Sequence, residues 1–327
     1  MSRTGVGRLM PTVSLGVMLL FVAAGCGEGS VESQESVPPG DRSGAAGVTP
    51  EFGSTAVGNR EAAVAGEENV DLTFSDQAGR EIHLPAPPGR IVSLVPAATG
   101  IILALGEGHR LVGRTDYDQE PQLAELPSVG GGLHPSLERL TSLEPDLVIR
   151  FEGDQDRATP SALERAGIVH MGVRPDRLDD IFRMIELLGA ALDVPHQAAT
   201  LTAQLQEELD SVRARIDQRP PVRTLFLLGG DPPWVAGPGT FIHELVEIAG
   251  GRNVLEAGEV PLYGPVSVEA IAQREVDVLL VPEGGQVPTG LRRLEVVRVS
   301  GAVQSPGVGL GEAARELSRV LHPEVWQ

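Results

Sequence analysis

The sequence predicts an α/β protein built as two doubly wound lobes joined by a long, rigid backbone helix. Three observations carry this reading. Short apolar strands alternate with helical stretches over residues 90–171, and the alternation restarts at Val222. Between the two patterns, Pro195 opens a helix reaching to about Gln218, with Leu201, Leu205, Leu209, Val212 and Ile216 spaced by three or four. At 1.5 Å per residue it is roughly 35 Å long, enough to bridge two lobes. Finally, the chain echoes itself. Ser136-Leu137-Glu138 leads into Glu144-Pro145-Asp146-Leu147-Val148-Ile149, and Ser267-Val268-Glu269 leads into Glu275-Val276-Asp277-Val278-Leu279-Leu280. Each copy reads as a helix start, about two turns, then a buried strand.

The first lobe opens near Val70. Phe74 to Leu84 reads as a short hairpin around Ala78-Gly79. Arg90 to Val95 is a buried strand; Pro96-Ala97-Ala98-Thr99 turns into an apolar helix over 100–105, which Gly106 stops. Leu111 to Arg114 and Leu147 to Ile149 are the next strands. A helix near Ser161 to Ala166 and a strand over Ile168 to Met171 follow. Asp179 to Leu192 carries a helical stripe at Ile181, Met184, Ile185 and Leu188. In the second lobe, strands are predicted over Thr224 to Leu228, Val276 to Val281 and Val296 to Val299. Helices are predicted over Phe241 to Ala249, Val268 to Arg274 and Gly311 to Leu321.

The 327 residues therefore divide into a leader (1–25), a tether (26–69), a first lobe (70–192), a backbone helix (193–221) and a second lobe (222–327). Arg3 and Arg8 and the apolar run Val13 to Ala24 read as a secretory signal, and Ala23-Ala24-Gly25-Cys26 resembles the bacterial lipobox, which implies lipidation of Cys26; the other reading is an ordinary signal with an incidental cysteine. That run is too short to span a membrane. Cys26 is the only cysteine, so the body has no thiol for disulfides, thiolate catalysis or Cys-ligated zinc. From Gly27 to about Asn69 the chain is rich in Gly, Ser, Glu, Ala and Pro without a hydrophobic period. It reads as a flexible tether spanning roughly 35 Å on average. The expected location is the cell envelope, membrane-anchored on the extracytoplasmic face, as a monomer.

A net charge of −19 argues against nucleic acid as a partner. All 26 basic residues are arginine, which removes Schiff-base and P-loop lysines. No G-x-S-x-G elbow occurs, and the glycine runs at 130–132 and 229–230 open no helix with phosphate-binding chemistry. The seven histidines are dispersed, so bare metal capture has no preformed cluster. These absences favour capture over catalysis, with no cofactor, and leave an exported enzyme or a sensory lipoprotein as lesser readings.

Arg90 to Thr99 resembles the opening strand and helix of substrate-binding proteins of the cobalamin and iron-chelate uptake type, the class III or helical-backbone periplasmic binding proteins. Leu111-Val112-Gly113-Arg114-Thr115-Asp116-Tyr117 with Pro121 is similar to their next strand and pocket loop. Ser136 to Ile149 is similar to their most distinctive segment. Asp231-Pro232-Pro233-Trp234 and Glu247-Ile248-Ala249-Gly250-Gly251-Arg252-Asn253 continue the likeness, which covers about Phe74 to Val281 and then fades. The resemblance implies a cargo held between the lobes and delivered to an ABC permease with its ATPase. It implies that Glu138 and Glu269, one per lobe, meet arginines of that permease. Each also complements its helix dipole from the first turn.

Aromatic residues make up only 3% of the chain, with two Trp and two Tyr. Tyr117, Trp234 and Tyr263 fall in predicted loops at strand or helix ends, and Phe151 directly follows a predicted strand. Such rings suit a large planar ligand. By the resemblance, Tyr117, Phe151 and Trp234 match aromatic contacts of cobalamin binders, and Tyr263 stands close to another. The expected cargo is cobalamin or another corrinoid. There are departures: Gly130-Gly131-Gly132 stand where cobalamin binders carry a tryptophan, and an arginine expected late in the second lobe has no counterpart. Glu120 stands where haem-binding relatives use a tyrosine, which argues against haem. Iron-siderophore cargo remains open through Arg114 and Arg150, which are available near strand ends, and His134 beside the glycine run is a candidate for reaching a metal centre.

Overall fold

The computed structural model describes residues 71–153 and 158–327. The leader, Cys26 and the tether lie outside the described residues.

A two-stranded antiparallel hairpin comes first, β1 (Leu72–Ser75) and β2 (Glu81–Leu84), turning through Gly79 at positive φ. The first lobe then alternates strand and helix. It runs β3 (Ile91–Ser93), α1 (Pro96–Ala104), β4 (Leu111–Gly113), α2 (Leu137–Ser142), β5 (Leu147–Phe151), α3 (Ala158–Arg165), β6 (His170–Val173) and α4 (Leu178–Ala191). Its sheet is wholly parallel, in the order β4-β3-β5-β6. Helix α1 starts at Pro96, four residues earlier than expected, because a proline at N1 is preset for helical φ and lacks only a donor that the helix start leaves unused.

Helix α5 (Pro195–Ile216) is the connecting rod. Its buried face, Ala198, Thr202, Leu205, Leu209, Val212 and Ile216, follows the three-and-four spacing of the sequence. Leu205, Leu209 and Val212 share one continuous core with Ile181, Met184 and Ile185 of the first lobe and Leu245, Val246 and Leu317 of the second.

The second lobe comprises β7 (Val222–Gly229), β8 (Trp234–Ala236), α6 (Phe241–Ile248), β9 (Gly251–Asn253), β10 (Tyr263–Pro265), α7 (Val268–Ala272), β11 (Val278–Pro282), β12 (Val296–Val299) and α8 (Leu310–Leu321). Its parallel part runs β9-β7-β11-β12, the order of the first sheet. An antiparallel pair, β8 and β10, is added on the β9 side of β7. The sequence echo is thus one part of a repeat of the whole lobe.

The repeat extends to its fastenings. Ser136 and Ser267 cap α2 and α7, accepting from the backbone N–H three residues on. Leu140 and Ile271 are fully buried. The Asp146 carboxylate accepts the Arg90 N–H at 2.8 Å, and the Asp277 carboxylate accepts the Arg223 N–H at 3.0 Å. Each aspartate thereby pins the start of its lobe's first parallel strand.

Candidate ligand-binding cleft

In a parallel sheet the carboxyl ends of the strands point loops at one edge, and ligands bind there where strand order reverses. Both lobes have that reversal, around β3 and β7. The two edges meet directly. The loop before α8 lies against the start of α1, with Gly307 next to the Ala97 backbone. The loop after β6 meets α6, where the Phe241 N–H donates to the Asp176 carbonyl at 2.6 Å. Glu244 of α6 accepts from the Leu178 N–H at 2.7 Å and pairs with Arg177 at 2.8 Å. The N-cap of α4 is Arg177, so Glu244 supplies from the other lobe an acceptor that the helix start lacks.

Tyr117 sits half-buried in the turn after β4. Its ring faces the glycine run: a Cβ at Gly131 would lie 3.9 Å from Cε2. Gly130 has φ +91°, and a Cβ on Gly132 would collide with the Leu94 carbonyl. Two of the three glycines are therefore required by the backbone, and Gly131 is the position with room for a side chain.

The other rings sit differently from their predicted places. Phe151 is the last residue of β5, not the first beyond it, and packs partly buried against the main core. Trp234 is half-buried as the first residue of β8, and Tyr263 as the first of β10. The ladder pairs Trp234 with Pro265 and Tyr263 with Ala236, so the two ring-bearing strands are neighbours. Both strands are three residues long and, unlike β3 and β4, lie in no longer apolar run, Tyr263 being followed by Gly and Pro, so the sequence reads them as loops. Trp234 stands beside Gly229, the carboxyl end of β7. Tyr263 is set two residues further in and packs against the main core. Burial, with the nearby Asp176 carboxylate adding to it, pushes the Tyr263 phenol well above its ordinary range, so it stays a donor. Trp326, the second tryptophan, is covered by the guanidinium groups of Arg215 and Arg319, 4.3 and 5.1 Å from its ring centre.

The expectation that Arg150 is available to an anionic cargo is corrected. Arg150 is 3% exposed and fully engaged. It donates to His170 Nδ1 at 3.1 Å and to the Phe151 carbonyl at 3.0 Å, and pairs with Glu152 at 2.7 Å. Arg80 lies within hydrogen-bond distance of both ring nitrogens of His170, at 2.9 Å from Nδ1 and 3.3 Å from Nε2, and is paired with Asp76. Sequence reasoning missed this network because its members are scattered over Asp76, Arg80, Arg150, Glu152 and His170. Arg174, also at the edge, is paired with Asp176 at 2.5 Å. Arg114 donates to the Thr115 carbonyl at 3.1 Å, while its Nε is buried without a hydrogen-bond partner among the described residues. His134 is exposed. Among the described residues no group of three or more His, Cys, Asp or Glu side chains is placed to hold a metal ion.

Glu138 and Glu269 both lie in the first turn of a capped helix, exposed, and in no ion pair among the described residues. Two surface hollows are lined by none of the four rings. One is between the hairpin and α4, lined by Gln77, Arg174 and Asp180. The other is among α4, α5 and α6, lined by Phe182, Leu209 and Glu244. No described helix is long and apolar enough to cross a membrane.

Paired parallel α/β lobes about a stiff connecting helix, meeting at their carboxyl edges, define a two-lobed ligand-capturing protein. A family model described as "Periplasmic binding protein" matches residues 91–305, and the chain belongs to that family. The match runs past Val281, where the likeness read from the sequence fades. The family consists of substrate-binding proteins of transporters, not enzymes.

Among curated proteins, the vitamin B12-binding protein of Vibrio cholerae serotype O1 is 28% identical over 200 residues, covering 61% of this chain and 72% of the relative. That of Yersinia pestis (strain Pestoides F) is 28% identical over 202 residues, with the same coverage of 61% and 72%. Among solved structures, the periplasmic heme-binding protein RhuT from Roseiflexus sp. RS-1, in apo form, is similar with a TM-score of 0.63 and 28% identity, over 72% of this chain and 98% of that one. The vitamin B12-binding protein BtuF of Vibrio cholerae has a TM-score of 0.63 at 24% identity, over 74% and 99%, a likeness of fold.

Proposed function

We propose that this protein captures a corrinoid between its lobes and delivers it to an ATP-driven import permease. In this reading it acts as a monomer held at the outer face of the membrane by a lipid on Cys26. The observation that carries the cargo is the make-up of the two edges. Tyr117 at the end of β4 and Trp234 beside the end of β7 offer one half-buried ring from each lobe. Such rings contribute large contact area at small entropy cost. The arginines near them are mostly spent, since Arg150 and Arg174 are bound to acidic partners, and Asp231 and Glu283 stand exposed at the second edge. Anionic cargo, such as a ferric siderophore or a propionate-bearing haem, calls for free cations. A corrinoid carries a neutral periphery of amides that donate to carboxylates.

Haem is the second reading. The 28% identity to a heme-binding relative supports it, as does Arg114, whose Nε has no partner among the described residues. Glu120, in the place of the haem-type tyrosine, weighs against it. Calorimetric titration of the purified protein with cyanocobalamin, haem and ferric siderophores separates the readings. We expect one cyanocobalamin per chain and affinity at least about tenfold above haem, a gap of about 1.4 kcal/mol. Tighter haem binding overturns the corrinoid reading. Failure of every chelate to bind overturns the whole class.

A further inference from the structure

Tyr117 stands on a loop that is locked from beneath. Thr115 is fully buried, and Asp118 is 3% exposed. Asp118 Oδ2 accepts from the Thr115 N–H at 2.7 Å and from the Thr115 hydroxyl at 2.8 Å. The same hydroxyl oxygen accepts from the Tyr117 N–H at 3.2 Å. The three residues form a chain of hydrogen bonds ending on the backbone of the ring-bearing residue. Its flank is fastened to the glycine segment, where the Asp116 N–H donates to the Gly130 carbonyl at 3.0 Å and the Gly130 N–H to Ser128 Oγ at 3.0 Å. Tyr117 and Gly131 therefore belong to one block.

A buried carboxylate is a costly way to anchor a surface turn. Here the other oxygen, Asp118 Oδ1, has no hydrogen-bond partner among the described residues, which adds to the cost. What an ionised acceptor gives in return is stronger grip on both Thr115 donors than a neutral one provides. We infer that Asp118 and Thr115 are positioning residues for Tyr117, fixing its loop before cargo arrives so that binding does not have to order it. The inference rests on the cleft reading under Proposed function.

A double-mutant cycle tests it, because residues acting through one another are not additive. Tyr117→Ala, Asp118→Ala and the pair would be titrated with cyanocobalamin by calorimetry, with thermal midpoints recorded. We expect Asp118→Ala alone to weaken binding by about tenfold, and by less than about twofold when Tyr117 is already alanine. Asp118→Asn, which keeps one acceptor oxygen but not the charge, should restore part of the affinity. Equal losses in both backgrounds, or a lowered midpoint with unchanged affinity, overturn the inference and leave Asp118 a loop anchor. If Asp118→Ala does not fold, Thr115→Val is read in the same two backgrounds. If the wild type binds haem or a ferric siderophore in place of the corrinoid, the cycle is run with that ligand and decides in the same way. Binding of none of the three chelates by the wild type removes the cleft reading and this inference with it.

Discussion

His170 shows how one side chain ties the first lobe to pH. It is buried, and Arg80 and Arg150 both approach its ring. Burial first, then the two guanidinium charges, lower its pKa from 6.5 to about 4. The neutral ring is therefore favoured in the folded state, while the unfolded chain takes up a proton below about pH 6.5. Between pH 6.5 and 4 the unfolded state binds more protons, so stability falls as pH falls through this window. We expect about 2 kcal/mol to be lost between pH 7.5 and pH 5, and His170→Gln to flatten that slope in urea titrations. An unchanged slope removes the assignment. Asp76 acts at lower pH. Burial opposes its charge, but N–H groups of Gly172 and Arg80 and the Arg80 guanidinium prevail and lower its pKa. None of this was legible in the sequence, because nothing in the spacing of these residues reveals that β6 brings His170 between two arginines. The rings were legible because aromatic residues are so scarce in this chain.

At the scale of elements, the two echoed helices are the clearest case of sequence dictating structure. Their serine caps, buried Leu140 or Ile271 and strand-pinning aspartates each have a recognisable residue type and spacing. They also leave Glu138 and Glu269 exposed and in no ion pair among the described residues, one on each lobe. Two such carboxylates on a pseudo-repeated body suit a partner presenting two basic sites. We expect the Glu138→Ala, Glu269→Ala double variant to bind cargo with wild-type affinity and to fail in vesicle uptake assays with its permease. Normal uptake rejects the docking role. By contrast, β8, β9 and β10 escaped sequence reading. These three-residue strands lie in no apolar run of the kind that reveals β3 and β4, and Trp234 and Tyr263 owe their places to pairing with each other's strands.

At the scale of the whole molecule, the rod and the core cluster that it shares with both lobes are expected to limit how far the lobes can part. Glu244 adds a clasp, capping α4 from across the interface and pairing with Arg177. Its removal leaves the Leu178 N–H without that acceptor, a loss of about 1–3 kcal/mol for a charge-assisted bond. Glu244→Ala is therefore expected to lower the urea midpoint and widen the distribution of interlobe distances measured between spin labels. Both unchanged would show the clasp to be incidental. The two-lobed plan itself was readable from alternation and from the length of α5, since both are long-range patterns that local packing does not override.

The most direct measurement is a crystal structure of the protein with cyanocobalamin. We expect the corrin ring to lie between the Tyr117 and Trp234 faces, with contacts from both lobes. A ligand seated in the hollow among α4, α5 and α6, or touching one lobe alone, contradicts it.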